Sequence, residues 1–221
     1  MSCAIAANFH PQWRAAGSWK LCGEFCFAVF TTKTQRPQRI LPKGFRLLRY
    51  NGGMAEHRPQ DKHEAHRKLI ARLDEQTQDI RRLTSGLDDD ALSRRTVPGK
   101  WSLKELVCHI WRVQQVFESR VAAMLAEDNP AIESYEPDGD AEFERMTSLS
   151  MEELLEGFFS NRQDLKGRLE KLTPPDWHRK GRHPEFPHYD VHFQIEYMAH
   201  HEAHHIYQMF QRRSPLGKVP H

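Results

Sequence analysis

Between residues 61 and 213, apolar side chains return at every third or fourth position in four separate stretches, the spacing that puts them on one face of a helix. No stretch there alternates with the two-residue period of a half-buried strand; only 25–31, far upstream, comes near it. The first helical stretch spans about 63–87 and aligns Leu69, Ile70, Leu73, Ile80 and Leu83. The second opens at Ser102, whose hydroxyl can cap the backbone while Glu105, three residues on, reaches back, and it runs to about Glu127. The third repeats the device with Ser150 and Glu153, carries Leu154, Phe158, Leu165, Leu169 and Leu172, and should stop at Pro174 and Pro175. The fourth runs from near Asp190 to near Arg213, just ahead of Pro215. The fold class this predicts is all-α, a four-helix bundle.

Three histidines interrupt these apolar faces. His109 falls in register with Leu106, Val113, Val116 and Phe117 on the second helix, where a core-facing side chain belongs. His201 and His205 repeat at i, i+4 on the fourth, along a line shared with Met198 and Met209, so their rings are stacked neighbours able to chelate one ion. A lone histidine on an apolar stripe is more often a hydrogen-bonded core residue than a ligand, and the pair is what raises His109 above that. His200 and His204 form a second i, i+4 pair turned by about 100° toward the flank of the helix. Their line runs through Glu196 and is the wetter one.

The same segment spells His-Glu-Ala-His-His over 201–205, which matches the zinc-protease pattern H-E-x-x-H. A protease of that kind needs a further ligand downstream. The sixteen residues after His205 contain no Asp or Glu, and Gln208 and Gln211 stand where the longer motif requires Gly and His. The match is therefore read as accidental, with Glu202 pointing sideways from the inward face and a weak candidate for a general base.

Connection lengths set the topology. Helices one and two are joined by about 14 residues and three and four by about 17, whereas 128–149, between two and three, is an acidic and irregular stretch of about 22. That is enough chain to cross the length of the bundle. If it does, helices two and three run parallel and helix two is antiparallel to helix four. His109 lies seven residues after Ser102 and His205 eight residues before Arg213, so the crossover puts both at nearly one height. A simple up-down-up-down chain would separate them by about 6 to 12 Å.

The phrase Gly-Lys-Trp-Ser-Leu-Lys-Glu-Leu-Val-Cys-His over 99–109, followed some ninety residues later by Ala-His-His-Glu-Ala-His-His-Ile-Tyr-Gln over 199–208, resembles the DinB superfamily. That superfamily includes metal-dependent hydrolases and thiol-dependent transferases, and the resemblance covers roughly 61–213. It implies a bundle with a long crossover between its second and third helices. It also implies a three-histidine site for a divalent cation, one ligand from helix two and two from helix four; carried over by position these are His109, His201 and His205. Three neutral imidazoles leave Zn²⁺, Ni²⁺ or Fe²⁺ with an open position, where bound water can ionise near pH 7 or a thiolate can be held. The expected function is hydrolysis or thiol transfer on a small molecule, with a low-molecular-weight thiol as a second cofactor in the transferase case. No side chain is assigned as catalytic. Glu105, one turn before His109, and Gln208, one turn beyond His205, are candidates to support the ligands from behind, and Glu105 can equally serve its capping box. The alternative is a non-enzymatic bundle that binds metal for stability or in a stress response. A metal-free bundle whose histidines merely pair comes third.

Charge divides the chain. Residues 1–53 carry eight Lys and Arg against a single acid, Glu24, while the remainder carries 24 against 29. A mildly acidic folded part argues against nucleic acid as its partner. No apolar run is longer than six residues, against the ~20 a bilayer requires, so no membrane span is expected. A small-molecule substrate is the expected partner, and a homodimer is compatible with it. Residues 1–53 read as an irregular basic extension, 54–213 as the bundle and 214–221 as a tail. An Arg-rich, acid-poor start suits a transit peptide, but a true start at Met54 is the simpler expectation. Cys3, Cys22 and Cys26 lack the spacing of a zinc site, and Cys108 points away from His109 as a buried small residue. So few cysteines suit a reducing compartment, by default the cytoplasm.

Overall fold

The computed structural model describes residues 59–137 and 139–220. The basic extension over 1–53, its three cysteines and the alternating stretch 25–31 lie outside them. The four expected helices are α1 (Pro59–Thr84), α3 (Leu103–Ala126), α5 (Met151–Leu169) and α7 (Val191–Arg213). Three shorter helices stand between them, α2 (Asp89–Ser93), α4 (Ala141–Thr147) and α6 (Pro174–Trp177), and a 3₁₀ turn (Ser214–Leu216) follows. Among the described residues β pairing is confined to two isolated bridges, Ala131 with Arg182 and Lys180 with Asp190.

Both capping boxes form. Ser102 Oγ accepts from Glu105 N at 3.1 Å and Glu105 Oε2 from Ser102 N at 2.8 Å. The corresponding distances at Ser150 and Glu153 are 3.2 and 2.7 Å. Each cap satisfies backbone N–H groups that a helix start leaves open, a contribution of about 1 kcal/mol. Two expected ends are displaced. The first helix stops at Thr84, before Gly86 at φ +70°, rather than at 87. The third stops at Leu169, five residues before the prolines; Pro174, which has no N–H to leave unpaired, instead begins α6.

Helix directions follow from which residues meet. Along α3 and α5, Trp111 packs on Gly157 and Gln114 Nε2 donates to Asn161 at 2.6 Å, so the numbers rise together and the pair is parallel. Along α3 and α7 they run oppositely: Phe117 meets Tyr197, His109 meets His205, and Arg212 Nε reaches Trp101 O at 3.2 Å. α1 is parallel to α7, through His66 with His192 and Gln76 with Ala199 O, and antiparallel to α5, through Asp74 with Lys166 and Arg81 with Phe159. α1 and α3 each pack on both α5 and α7. The chain is thus a four-helix bundle whose second and third long helices are parallel, joined by the long crossover.

That crossover is not irregular throughout, although its acidic residues Glu133, Glu136 and Glu144 are exposed. It carries α4 and is pinned to α3 by Asp140, which accepts from Arg112 Nε at 2.6 Å and Tyr135 Oη at 2.7 Å while also capping α4. Asp140 has only 9% of its side chain exposed, between Arg112 on α3 and Tyr135 on the crossover itself. At the far end, Arg182 N donates to Pro130 O and Ile132 N to Arg182 O, each at 2.8 Å, tying the crossover to the connection before α7.

The core falls into two apolar clusters. One, holding Leu69, Leu73, Phe117, Leu165, Trp177, Ile195 and Met198, fills the end where α7 begins; the other, holding Ile80, Leu106, Ile110, Leu154, Phe158 and Met209, fills the end where α3 begins. The aromatic connection 173–189 plugs the first end: Trp177 and Tyr189 are buried and Phe186 packs on Phe193 and Tyr197. Buried polar side chains Gln76, Thr77, Gln114, Arg162 and Glu202 lie at the levels between the clusters.

Candidate metal centre

His109 sits on α3 two turns in from its Ser102 cap, and His201 and His205 sit one turn apart near the end of α7. Because α3 and α7 are antiparallel neighbours, the three rings arrive at one level. His109 Nε2 is 3.4 Å from His201 Nε2, which is 3.1 Å from His205 Nε2. One ligand nitrogen from each residue lies within 4.8 Å of the others, and among the described residues this group of three could hold a metal ion. Metal–nitrogen bonds of about 2.0–2.1 Å at tetrahedral angles place ligand nitrogens about 3.3 Å apart, so the spacing fits such a cation.

Electrostatics agree with the geometry. Burial pushes His109 down to about 3, with His205 adding to the effect. Burial likewise pushes His205 down to about 4, outweighing the opposite pull of its hydrogen bond to Gln208. His201 is held well below its usual value by burial first, then by His205, His109 and His204. All three rings are therefore neutral at physiological pH, the form that ligates metal. His109 and His205 are each 2% exposed, whereas His201 is only partly buried.

The expected supporting residues part company. Gln208 Oε1 is 3.0 Å from His205 Nδ1, where it can accept that nitrogen's proton and leave Nε2 with its lone pair toward the other two rings. Gln208 Nε2 is 2.8 Å from His204 Nε2, so one amide links the flanking histidine to His205. His200 stays outside, its Nδ1 3.5 Å from Arg72 Nη2. Glu105 is not turned to His109. Its carboxylate is taken by Ser102 N and by both forks of Arg95, so its capping role is the one it performs.

Glu202 does not point sideways. The buried line of α7 runs Val191, Ile195, Met198, Glu202, His205, Met209, Arg212, with His201 beside it rather than on it. The Glu202 carboxylate is paired in the core with the Arg162 guanidinium, the two side chains being 2% and 1% exposed. A carboxylate so held is no free base. Cys108 is fully buried, its Sγ 3.7 Å from Phe143 O, and burial pushes its thiol up to about 12. Aromatic rings wall the trio: Trp101 is 4.8 Å from His109 and 6.3 Å from His205 by centroid, Phe143 meets His109 edge-on, and Phe117 meets His201.

Arg162 carries a signal of the same kind in the sequence. It falls on the line of Phe158, Leu165 and Leu169, as odd an occupant of an apolar stripe as His109. Asp140 gave no such signal, since Arg112, which it holds, is 28 residues away and only the crossover brings them together.

Comparison with known proteins agrees with this architecture. No curated protein sequence matches the chain. Among solved structures, one described as "YfiT from Bacillus subtilis is a probable metal-dependent hydrolase with an unusual four-helix bundle topology" superposes with a TM-score of 0.61 at 18% identity, covering 83% of this chain and 94% of that one. At that identity the likeness speaks for the fold alone. A family model described as the DinB superfamily matches residues 72–209, which spans His109, His201 and His205, and by that match the chain belongs to the DinB superfamily.

Proposed function

We propose that this protein is a metal-dependent enzyme acting on a small molecule, by hydrolysis or by transfer to a low-molecular-weight thiol. The supporting observation is the convergence of three neutral imidazoles from two helices on one point. His109, His201 and His205 would hold the cation, and borderline nitrogen donors suit Zn²⁺, Ni²⁺ or Fe²⁺. Such an ion polarises what binds at its open position and lowers the pKa of water or a thiol there. The chain's own residues do the rest. Gln208 fixes the tautomer of His205, and Trp101, Phe117 and Phe143 exclude bulk water, which strengthens electrostatic interactions at the centre. The solved structure described as a probable metal-dependent hydrolase is consistent with the hydrolytic branch. A thiol acceptor suits a reducing compartment such as the cytoplasm. No described helix is long and apolar enough to cross a membrane.

The test is elemental analysis of the purified protein and of His109→Ala. One divalent cation per chain in the parent, lost in a variant that keeps its helical circular dichroism, is the expected result. A parent that binds no transition metal at micromolar concentration sinks the proposal. Unfolding of His109→Ala on loss of the metal would instead favour the non-enzymatic, structural alternative. A screen for hydrolysis, and for metal-dependent consumption of a small thiol, then separates the two branches.

A further inference from the structure

We propose that Arg162 is a positioning residue for the metal centre: its guanidinium fixes the spacing between the helix that carries His109 and the helix that carries His201 and His205. The proposal rests on the reading of those histidines as ligands. Arg162 is 1% exposed at the middle of α5, and it touches all three of the other long helices. Its Nε donates to Gln114 Oε1 on α3 at 2.5 Å, its Nη1 to Leu73 O on α1 at 3.0 Å and to Glu202 Oε2 on α7 at 3.2 Å, and its Nη2 to Glu202 Oε1.

The positions of the two side-chain acceptors matter. Gln114 stands five residues after His109 on α3, and Glu202 stands between His201 and His205 on α7. One rigid planar fork therefore joins the two ligand-bearing helices within about a turn and a half of the ligands themselves. Gln114 is in turn held by Asn161, whose Nδ2 donates to both oxygens of Glu118 at 2.9 Å, so further hydrogen bonds orient the α3 side of the tie. Stability alone does not account for such a group. Replacing a buried ion pair by apolar side chains of similar volume is often neutral or stabilising, because two charges must be stripped of water to form it. What apolar packing cannot supply is direction. Leucine and phenylalanine slide against one another by fractions of an ångström, whereas a bidentate guanidinium–carboxylate pair has one geometry. Nitrogen ligands on two helices must be held to within about 0.5 Å for one ion to bond all three. The tie sits where that tolerance is needed.

Removing Arg162 alone would leave the Glu202 carboxylate buried without a partner and endanger the fold. The test therefore uses two variants in the full chain, Arg162→Lys, which keeps the charge but not the fork, and the double change Arg162→Met with Glu202→Met, which removes both charges. Each is loaded with Co²⁺, and the visible ligand-field absorption and the affinity are read against the parent. Ile70→Ala, in the apolar cluster at the other end, serves as a control for destabilisation alone. The expected result is one Co²⁺ per chain in the parent, and in both variants a shifted or weakened absorption band with affinity at least about 10-fold lower. Ile70→Ala should melt earlier with an unchanged spectrum. Parent-like spectra and affinities in either folded variant would overturn the positioning role while leaving the metal centre standing. Failure of the parent itself to bind Co²⁺ would overturn the reading beneath it, and the proposal with it.

Discussion

Gln208 Oε1 faces His205 Nδ1 at 3.0 Å, one turn along the same helix, and the same amide's Nε2 faces His204 at 2.8 Å. The carbonyl oxygen can only accept, so the proton of His205 belongs on Nδ1 and the lone pair on Nε2, toward His201. Gln208→Leu removes the acceptor without disturbing a buried apolar contact, since Gln208 is only partly buried. The expected outcome is a drop in divalent-metal affinity of about 10- to 100-fold with an unchanged melting temperature of the metal-free protein. Competition against a chromophoric chelator measures it. An affinity equal to the parent's would show that the hydrogen bond does not orient the ring.

Gly157 supplies a prediction whose sign opposes helix propensity. In an exposed helix, Gly→Ala stabilises by about 1 kcal/mol. Here an added Cβ would fall on the six-membered ring of Trp111, well inside van der Waals contact. A rigid indole cannot fold away as a flexible chain end could, and overpacking of this kind costs about 1 to 3 kcal/mol. Gly157→Ala should therefore lower the unfolding free energy by about 1 kcal/mol or more. In a Trp111→Leu background the same change should become neutral or stabilising, a reversal that urea titrations of the four proteins would reveal.

Which parts of this architecture can be read from sequence depends on how local their causes are. Ser102 with Glu105 and Ser150 with Glu153 announce two helix starts because the capping bonds close within three residues. The parallel packing of α3 and α5 follows from connection lengths, a property of the chain rather than of any contact. His109, His201 and His205 stand out because imidazoles occupy an apolar period. Glu202 lies one position from His201 in that same period: at about 100° per residue a broad buried face admits either at its centre. Only the partner on α5, Arg162, decides between them, and that pairing spans 40 residues. α4 and the Asp140 anchor are of the same non-local kind.

Asp140 is where the crossover is fastened, and its removal tests whether that fastening matters to the site. Asp140→Ala deletes the acceptor for Arg112 Nε and Tyr135 Oη together with the cap of α4. A loss of about 3 kcal/mol is expected from two hydrogen bonds to one ionised carboxylate. Because α4 carries Phe143 against Trp101 and His109, loosening it should also speed hydrogen exchange in 131–149 before it affects α7. Asp140→Asn keeps the cap and should recover about 1 kcal/mol of the loss. Exchange rates that rise equally in α4 and α7 would contradict the local anchor.

His66 gives the fold a dependence on pH that is separate from the three-histidine cluster. Its ring is 6% exposed and stacks on Trp177 at 4.2 Å, with His192 at 5.3 Å and His178 at 6.2 Å by centroid. Burial pushes it down to about 4; His192, His178 and His63 push the same way and Asp190 opposes them. The unfolded chain takes up this proton near pH 6.5, the folded chain near 4. Between those values the unfolded state binds more protons, so stability falls as pH falls, by up to about 3 kcal/mol from this one ring, and below about pH 4 the loss from His66 stops growing. Other acidic and histidine side chains also take up protons as pH falls, so the difference between the parent and His66→Phe isolates the effect. Phenylalanine keeps the stack on Trp177 and cannot be protonated. Unfolding free energies of the two proteins should run apart steadily from pH 7 to 4, the variant losing less. Parallel curves over that range would mean that the ring takes up its proton as readily in the fold as in the unfolded chain.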